Sequence, residues 1–152
     1  MAIRKGDTCP TFKLKNQKGE LFDITELIGK KKLVIYFYPK DNTYGCTKQA
    51  CSFRDSYEVF KEKGAEVIGI SSDKPAKHEK FIVSNELPFT LLSDEKNNVR
   101  KLFGVPSNLL GLIPGRGTYI IDKKGIVQGV YNSARDFSGH VDEALKVIEK
   151  ID

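Results

Sequence analysis

At 152 residues, with 39% hydrophobic and 30% charged side chains, the chain has the size and balance of one soluble globular domain, expected to span residues 1–152. Its formal charge of +5 comes almost wholly from residues 1–32, with eight Lys or Arg against four Asp or Glu; the run Lys30-Lys31-Lys32 reads as a solvated loop, so no nucleic-acid partner is expected. No apolar run approaches the roughly 20 residues of a membrane span, and the first ten residues lack the apolar core of a secretory signal; the expectation is a cytoplasmic protein with no membrane partner, or a plastid one if the chain is a processed form.

Residues 11–15 and 19–23 alternate polar with apolar around Asn16-Gln17-Lys18-Gly19 and predict an amino-terminal hairpin laid over the core. Residues 25–28 predict one helical turn closed by Gly29. The run Leu33-Val34-Ile35-Tyr36-Phe37-Tyr38 is β-branched and aromatic throughout and predicts a strand buried on both faces. Pro39 stops that strand, residues 41–45 are turn-prone, and Thr43 can cap a helix, which Phe53, Tyr57 and Phe60 continue at helical spacing to Gly64. Residues 65–71 predict a second buried strand, and Asp73, Lys74 and Pro75 open a helix to about Asn85.

Residues 89–92 form a short apolar segment and residues 98–103 a short helix ended by Gly104. Residues 106–117, with Leu109, Leu110, Leu112 and Ile113, read as a loop with exposed apolar side chains that suits a pocket wall or a docking face. Residues 117–122 and 126–131 predict a hairpin around Lys123-Lys124-Gly125, and an amphipathic helix begins at about Gly139. His78 and His140 read as surface positions on their helices. Strand, helix, strand, helix in succession implies parallel pairing with right-handed crossovers, hence an α/β fold with a mixed sheet of about five central strands and helices on both faces.

Cys46 falls in the first turn of the helix that follows the strand of residues 33–38, where unpaired N–H groups and the positive dipole end favour an anion, the environment that activates a thiol. Cys46 and Cys51 could instead be two small core residues, but cysteines seldom fill that role in a polar turn opening a helix. Three cysteines leave at least one unpaired, so a redox or catalytic use is favoured over a disulfide scaffold. Two cysteines five apart, with His78 and His140 the only histidines, do not make zinc spacing, and no metal is expected.

Pro39, Thr43 and Cys46 match the Pro-x-x-x-Thr-x-x-Cys pattern, and on it the chain resembles the peroxiredoxins. Cys51 resembles the resolving cysteine of the subclass called bacterioferritin comigratory protein or peroxiredoxin Q. The likeness continues through Phe53-Arg54-Asp55, Val67-Ile68-Gly69-Ile70-Ser71, Leu87-Pro88-Phe89, Gly104-Val105-Pro106 and Arg116 ahead of Thr118-Tyr119-Ile120-Ile121-Asp122. It departs at Tyr44, where that subclass commonly has proline, and at Cys9, where a small non-thiol residue is usual.

The resemblance implies a thioredoxin-like fold and a thiol-dependent peroxidase acting on hydrogen peroxide and alkyl hydroperoxides. In it Cys46 is the nucleophile and forms a sulfenic acid, Thr43 and Arg116 are donors to the departing oxygen, and Pro39 shelters the thiolate. Cys51 then closes an intrachain disulfide that a thioredoxin-like dithiol reduces. No cofactor is implied, and resolution within one chain makes a monomer the expectation. A thioredoxin-type disulfide oxidoreductase is the alternative, although that chemistry usually uses Cys-x-x-Cys, and a non-catalytic binding module on the same fold is a third reading. Cys9 is expected to behave as a small buried hydrophobe.

The five-residue spacing carries a mechanical expectation. In one regular helix Cys46 and Cys51 are separated by about 7.5 Å of rise and about 140° of rotation. A disulfide needs Cα atoms within about 6.8 Å and converging Cβ vectors, so part of residues 43–53 must unwind when the bond forms.

Overall fold

The computed structural model describes residues 2–108 and 113–151. In chain order the elements are β1 (Lys13–Asn16), β2 (Leu21–Asp23), a 3-10 turn (Ile24–Glu26), β3 (Lys32–Phe37), α1 (Tyr44–Asp55), α2 (Tyr57–Glu62), β4 (Ala65–Ser71) and α3 (Pro75–Asn85). They continue with β5 (Thr90–Ser93), α4 (Asn98–Phe103), β6 (Ser107–Asn108), β7 (Ile113–Pro114), β8 (Gly117–Ile121), β9 (Val127–Asn132) and α5 (Gly139–Lys150). Leu109, Leu110 and Leu112, expected to be exposed loop residues, lie outside the described part of the chain.

The apolar run became the middle of the molecule because both of its faces have something to bury against. β3 pairs in parallel with β4 on one side and antiparallel with β8 on the other, in a seven-stranded sheet of order β2-β1-β5-β4-β3-β8-β9. Val34, Tyr36 and Tyr38 face a core shared with Ala50 and Phe53 of α1, Phe60 of α2, Phe81 of α3 and Ala144 and Ile148 of α5. Leu33, Ile35 and Phe37 face the opposite core, with Cys9, Phe12, Ile24, Val99, Phe103 and Tyr119.

Three expectations are corrected. The amino-terminal hairpin does not lie over the core but extends the sheet: β1 pairs antiparallel with β5 through Lys15↔Ser93 and Asn16↔Leu92, giving the edge of β5 the hydrogen-bond partners it would otherwise lack. The helix after the Cys46 turn breaks at Ser56 into α1 and α2, where the N–H of Ser56 returns to Phe53 O at 3.2 Å, and Phe53, Tyr57 and Phe60 still bury on one core. His78 and His140 are not surface residues, both being 0% exposed. The signal was present, since His78 shares a helical face with Phe81, and His140 with Ala144 and Ile148, and burial is tolerated because each ring is hydrogen-bonded at both nitrogens. Among the described residues no helix is long and apolar enough to cross a membrane.

Candidate active site

The end of β3 and the start of β8 meet at the pair Phe37↔Gly117, and that register sets Arg116 beside the turn that follows β3. The turn runs through Pro39 to Asn42, which adopts a left-handed φ of 62°, and then to Thr43, extended at φ −89° and ψ 157°. Thr43 occupies the N-cap position, but its hydroxyl does not cap the helix; it donates back to Lys40 O at 2.9 Å. The first intrahelical bond is Thr47 N to Thr43 O at 2.9 Å, so the N–H groups of Tyr44, Gly45 and Cys46 are free of helical acceptors.

Cys46 is the third residue of α1 and only 2% exposed. Arg116, itself buried, donates from Nη1 to Cys46 Sγ at 3.2 Å and to Gln49 Oε1 at 2.7 Å. Its Nε donates to Ala134 O at 3.2 Å, and its guanidinium carbon stands 4.8 Å from the centroid of the Phe137 ring. Held on three sides, the fork keeps one direction, and a fixed positive charge against sulfur stabilises negative charge there. Gly45 is required by this packing: a Cβ at that position would come within 2.6 Å of the Phe137 ring and 2.7 Å of Arg116 Nη2. A cavity of about 190 Å³ reaches Arg116, lined by Pro106, Gly115, Asn132, Ser133 and Ala134, whereas another of about 710 Å³ is lined by Ala2–Lys5, β9 and α5 and by neither cysteine of α1.

Cys51 lies further along α1, half-buried, with its thiol donating toward Asn85 Oδ1 at 3.8 Å. Cys9 sits in the opposite core; burial pushes its thiol up to about 12, and it donates to Pro10 O at 3.4 Å. The structure therefore brings Arg116 against Cys46, sets Pro39 and Thr43 in the turn that leads into α1, keeps Cys51 on the same helix, and leaves Cys9 across the sheet.

Sequence reasoning missed three residues of this site, Gln49, Phe137 and Arg100, and the buried role of Asp41 in the turn outside it. Gln49 and Phe137 carried no motif that marked them as neighbours of Arg116. Arg100 is one of 25 basic residues, yet it is buried and ties Gly115 O at 2.8 Å to Tyr38 O at 3.0 Å, fixing the two backbone segments that carry Arg116 and the Cys46 turn. Asp41 was read only as a turn former, but it is 1% exposed and bonded to His78 and Tyr38. Asp41, Asp73 and His78 have the composition of a metal site, but their atoms are engaged with one another and with Ser71, Lys77 and backbone, so nothing here asks for an ion.

Residues 5–130 match the AhpC/TSA family, and the chain belongs to that family, with its α/β thioredoxin-like peroxiredoxin fold. Within it the chain is a thiol peroxidase of the peroxiredoxin Q, or bacterioferritin comigratory protein, subclass. It is 52% identical over 149 residues to the chloroplastic peroxiredoxin Q of Populus jackii, covering 98% of this chain and 70% of the relative. The same comparison with the chloroplastic peroxiredoxin Q of Arabidopsis thaliana gives 53% over 147 residues, 97% of this chain and 68% of the relative. Among solved structures, peroxidoxin BcpB of Mycobacterium tuberculosis superimposes with a TM-score of 0.90 at 36% identity over 99% of both chains. The Xanthomonas campestris bacterioferritin comigratory protein, studied for alkyl peroxide reduction, gives 0.83 at 26% identity over 95% of this chain and 98% of that one.

Proposed function

We propose that this peroxidase works through Cys46 as nucleophile and Cys51 as resolving thiol. The observation that carries the reading is the 3.2 Å contact from Arg116 Nη1 to Cys46 Sγ at the start of α1. The Cys46 thiolate attacks one oxygen of ROOH; the S–O bond forms as the O–O bond breaks, and the departing RO⁻ takes up a proton. Negative charge thus migrates from sulfur to oxygen, and Arg116 with the free N–H groups of the first turn can follow it, which is where preorganised donors accelerate a reaction. Thr43 is not free for the donor role that the resemblance implied, because its hydroxyl proton is engaged by Lys40 O; its oxygen can instead accept the peroxide O–H. Pro39, half-buried at the turn, shields the sulfur from water.

The sulfenic acid is then attacked by Cys51, releasing water and forming an intrachain disulfide, which a thioredoxin-type dithiol reduces by exchange. Residues 1–152 form one domain that acts as a monomer on hydrogen peroxide and alkyl hydroperoxides, without a cofactor, in the cytoplasm or, as in the chloroplastic relatives, a plastid. Stopped-flow oxidation followed by disulfide mapping tests the roles. Cys46→Ser should abolish peroxide consumption, because a hydroxyl is not ionised at neutral pH. Cys51→Ser should consume one equivalent of peroxide and then stall with thioredoxin. Normal turnover by Cys51→Ser would assign resolution to another thiol.

A further inference from the structure

The turn that delivers Cys46 is fastened to two distant elements by a buried group that the peroxidase chemistry does not use. Asp41 accepts from the Tyr38 hydroxyl at Oδ1, 2.5 Å, and faces His78 Nδ1 of α3 from Oδ2 at 2.6 Å. His78 Nε2 lies 3.0 Å from Leu92 O on β5. The carbonyl of Leu92 can only accept, so Nε2 carries a hydrogen, and a 2.6 Å contact between Nδ1 and Oδ2 then holds a second proton between ring and carboxyl. The pair is net neutral with both ring nitrogens satisfied, and both side chains are fully buried. The backbone N–H of Asp41 is bound as well, to Asp73 Oδ2 at 2.7 Å, and Asp73 is held by Ser71 and Lys77.

Only Asn42 and Thr43 separate this anchor from the first residue of α1, and the left-handed φ of Asn42 aims the chain into the helix. Closing a Cys46–Cys51 bond requires that helix to unwind. We propose that Asp41 and His78 are positioning residues that hold α1 wound, and so set how long the oxidised Cys46 waits before Cys51 can reach it. The proposal rests on the roles given above to the two cysteines. Its consequence is a timing one: a tighter clamp lengthens the life of the sulfenic acid and exposes it to a second peroxide, and a looser clamp favours disulfide formation.

Asp41→Asn isolates the effect. The amide can still accept from Tyr38 and donate one hydrogen to His78 Nδ1, so both neighbours keep a partner, but the charge-assisted contact is replaced by a neutral one of about half the strength. The rate of Cys46–Cys51 closure after a peroxide pulse should rise at least threefold, while the second-order rate with hydrogen peroxide falls by no more than about twofold, because the unwound fraction starts small. The sulfinic fraction formed at high peroxide should fall in step with faster closure. His78→Phe, which removes both ring bonds, should accelerate closure further if it folds, and Asp41→Asn decides the matter if it does not. Closure no faster than wild type in folded Asp41→Asn, or a peroxide rate and closure rate that fall together, overturns the clamp. Absence of any Cys46–Cys51 bond in the wild-type protein would instead overturn the cysteine roles, a distinguishable result.

Discussion

Arg116 has more contacts than any one role requires, and that is the reason to expect a large effect from its loss. It touches Cys46, Gln49, Ala134 and Phe137 together. Arg116→Ala should slow the reaction with peroxide by at least tenfold, about 1.4 kcal/mol of transition-state stabilisation, and Arg116→Lys should recover little, since a single ammonium cannot reproduce the fork. An unchanged second-order rate constant for Arg116→Ala would remove it from the chemistry. Cys9 gives the opposite expectation. Its thiol, pushed up to about 12 by burial and packed in the core on the far side of the sheet, is neither ionised nor within reach. Cys9→Ala should therefore leave peroxide consumption and thioredoxin-coupled turnover within about twofold of wild type, its cost appearing as stability. Impaired turnover would make it part of the cycle.

At the scale of the element, the proposed cycle gives α1 two incompatible tasks. Wound, it gives Cys46 a helix start and buries Phe53 against Tyr36 at a ring distance of 4.5 Å. With both cysteines in the one helix Tyr44–Asp55, it cannot form the disulfide without opening. Opening gives up a few backbone hydrogen bonds of about 0.5–1.5 kcal/mol net each, together with the packing of Phe53. The covalent bond offsets this, and the strain makes the disulfide easier for a dithiol to reduce. Amide hydrogen exchange should show residues 46–53 protected in the reduced protein and markedly less so in protein with a mapped Cys46–Cys51 bond. Equal protection in the two forms would refute unwinding.

For the molecule as a whole, acid sensitivity should track a buried ring rather than the site. His140 Nδ1 lies 2.7 Å from Thr118 Oγ1 and Nε2 2.9 Å from Ser133 O, joining α5 to β8 and to the loop after β9 that carries Ala134 and Phe137. Burial, aided by Arg116, lowers its pKa below the ordinary 6.5 against the opposing pull of Ser133 and Asp136. The unfolded chain then takes up a proton near pH 6.5 that the folded chain refuses, so this stability is present above that value and is lost as pH falls through the folded one. The unfolding free energy in urea should drop between about pH 7.5 and pH 5.5, and drop less in His140→Phe, although that variant is less stable at both. An identical decrease in the two proteins would assign the acid sensitivity elsewhere. Asp73 and Asp122, whose pKa values are lowered from 3.8, act in a separate and more acidic window.

The elements legible in the sequence are those whose signal is local. β4 at Ala65–Ser71 and α4 at Asn98–Phe103 fall where apolar runs and flanking glycines put them, and Cys46 lies in the first turn of a helix because Pro39 and a turn-prone segment precede it. Period, turn chemistry and chain punctuation act over a few residues, so one chain is enough to read them. Contacts across the sheet are different. Arg116 reaches Cys46 over 70 residues because β8 pairs with β3 in the register Phe37↔Gly117, and Asp41 meets His78 over 37 because α3 packs on the face of the sheet beneath the turn. Burial of His78 and His140 was likewise decided by the partners that wait for their ring nitrogens. The sequence alone determined that Cys46 stands at a helix start and where that helix begins; what surrounds its thiol was decided by strand register and packing, which join residues that no local pattern connects.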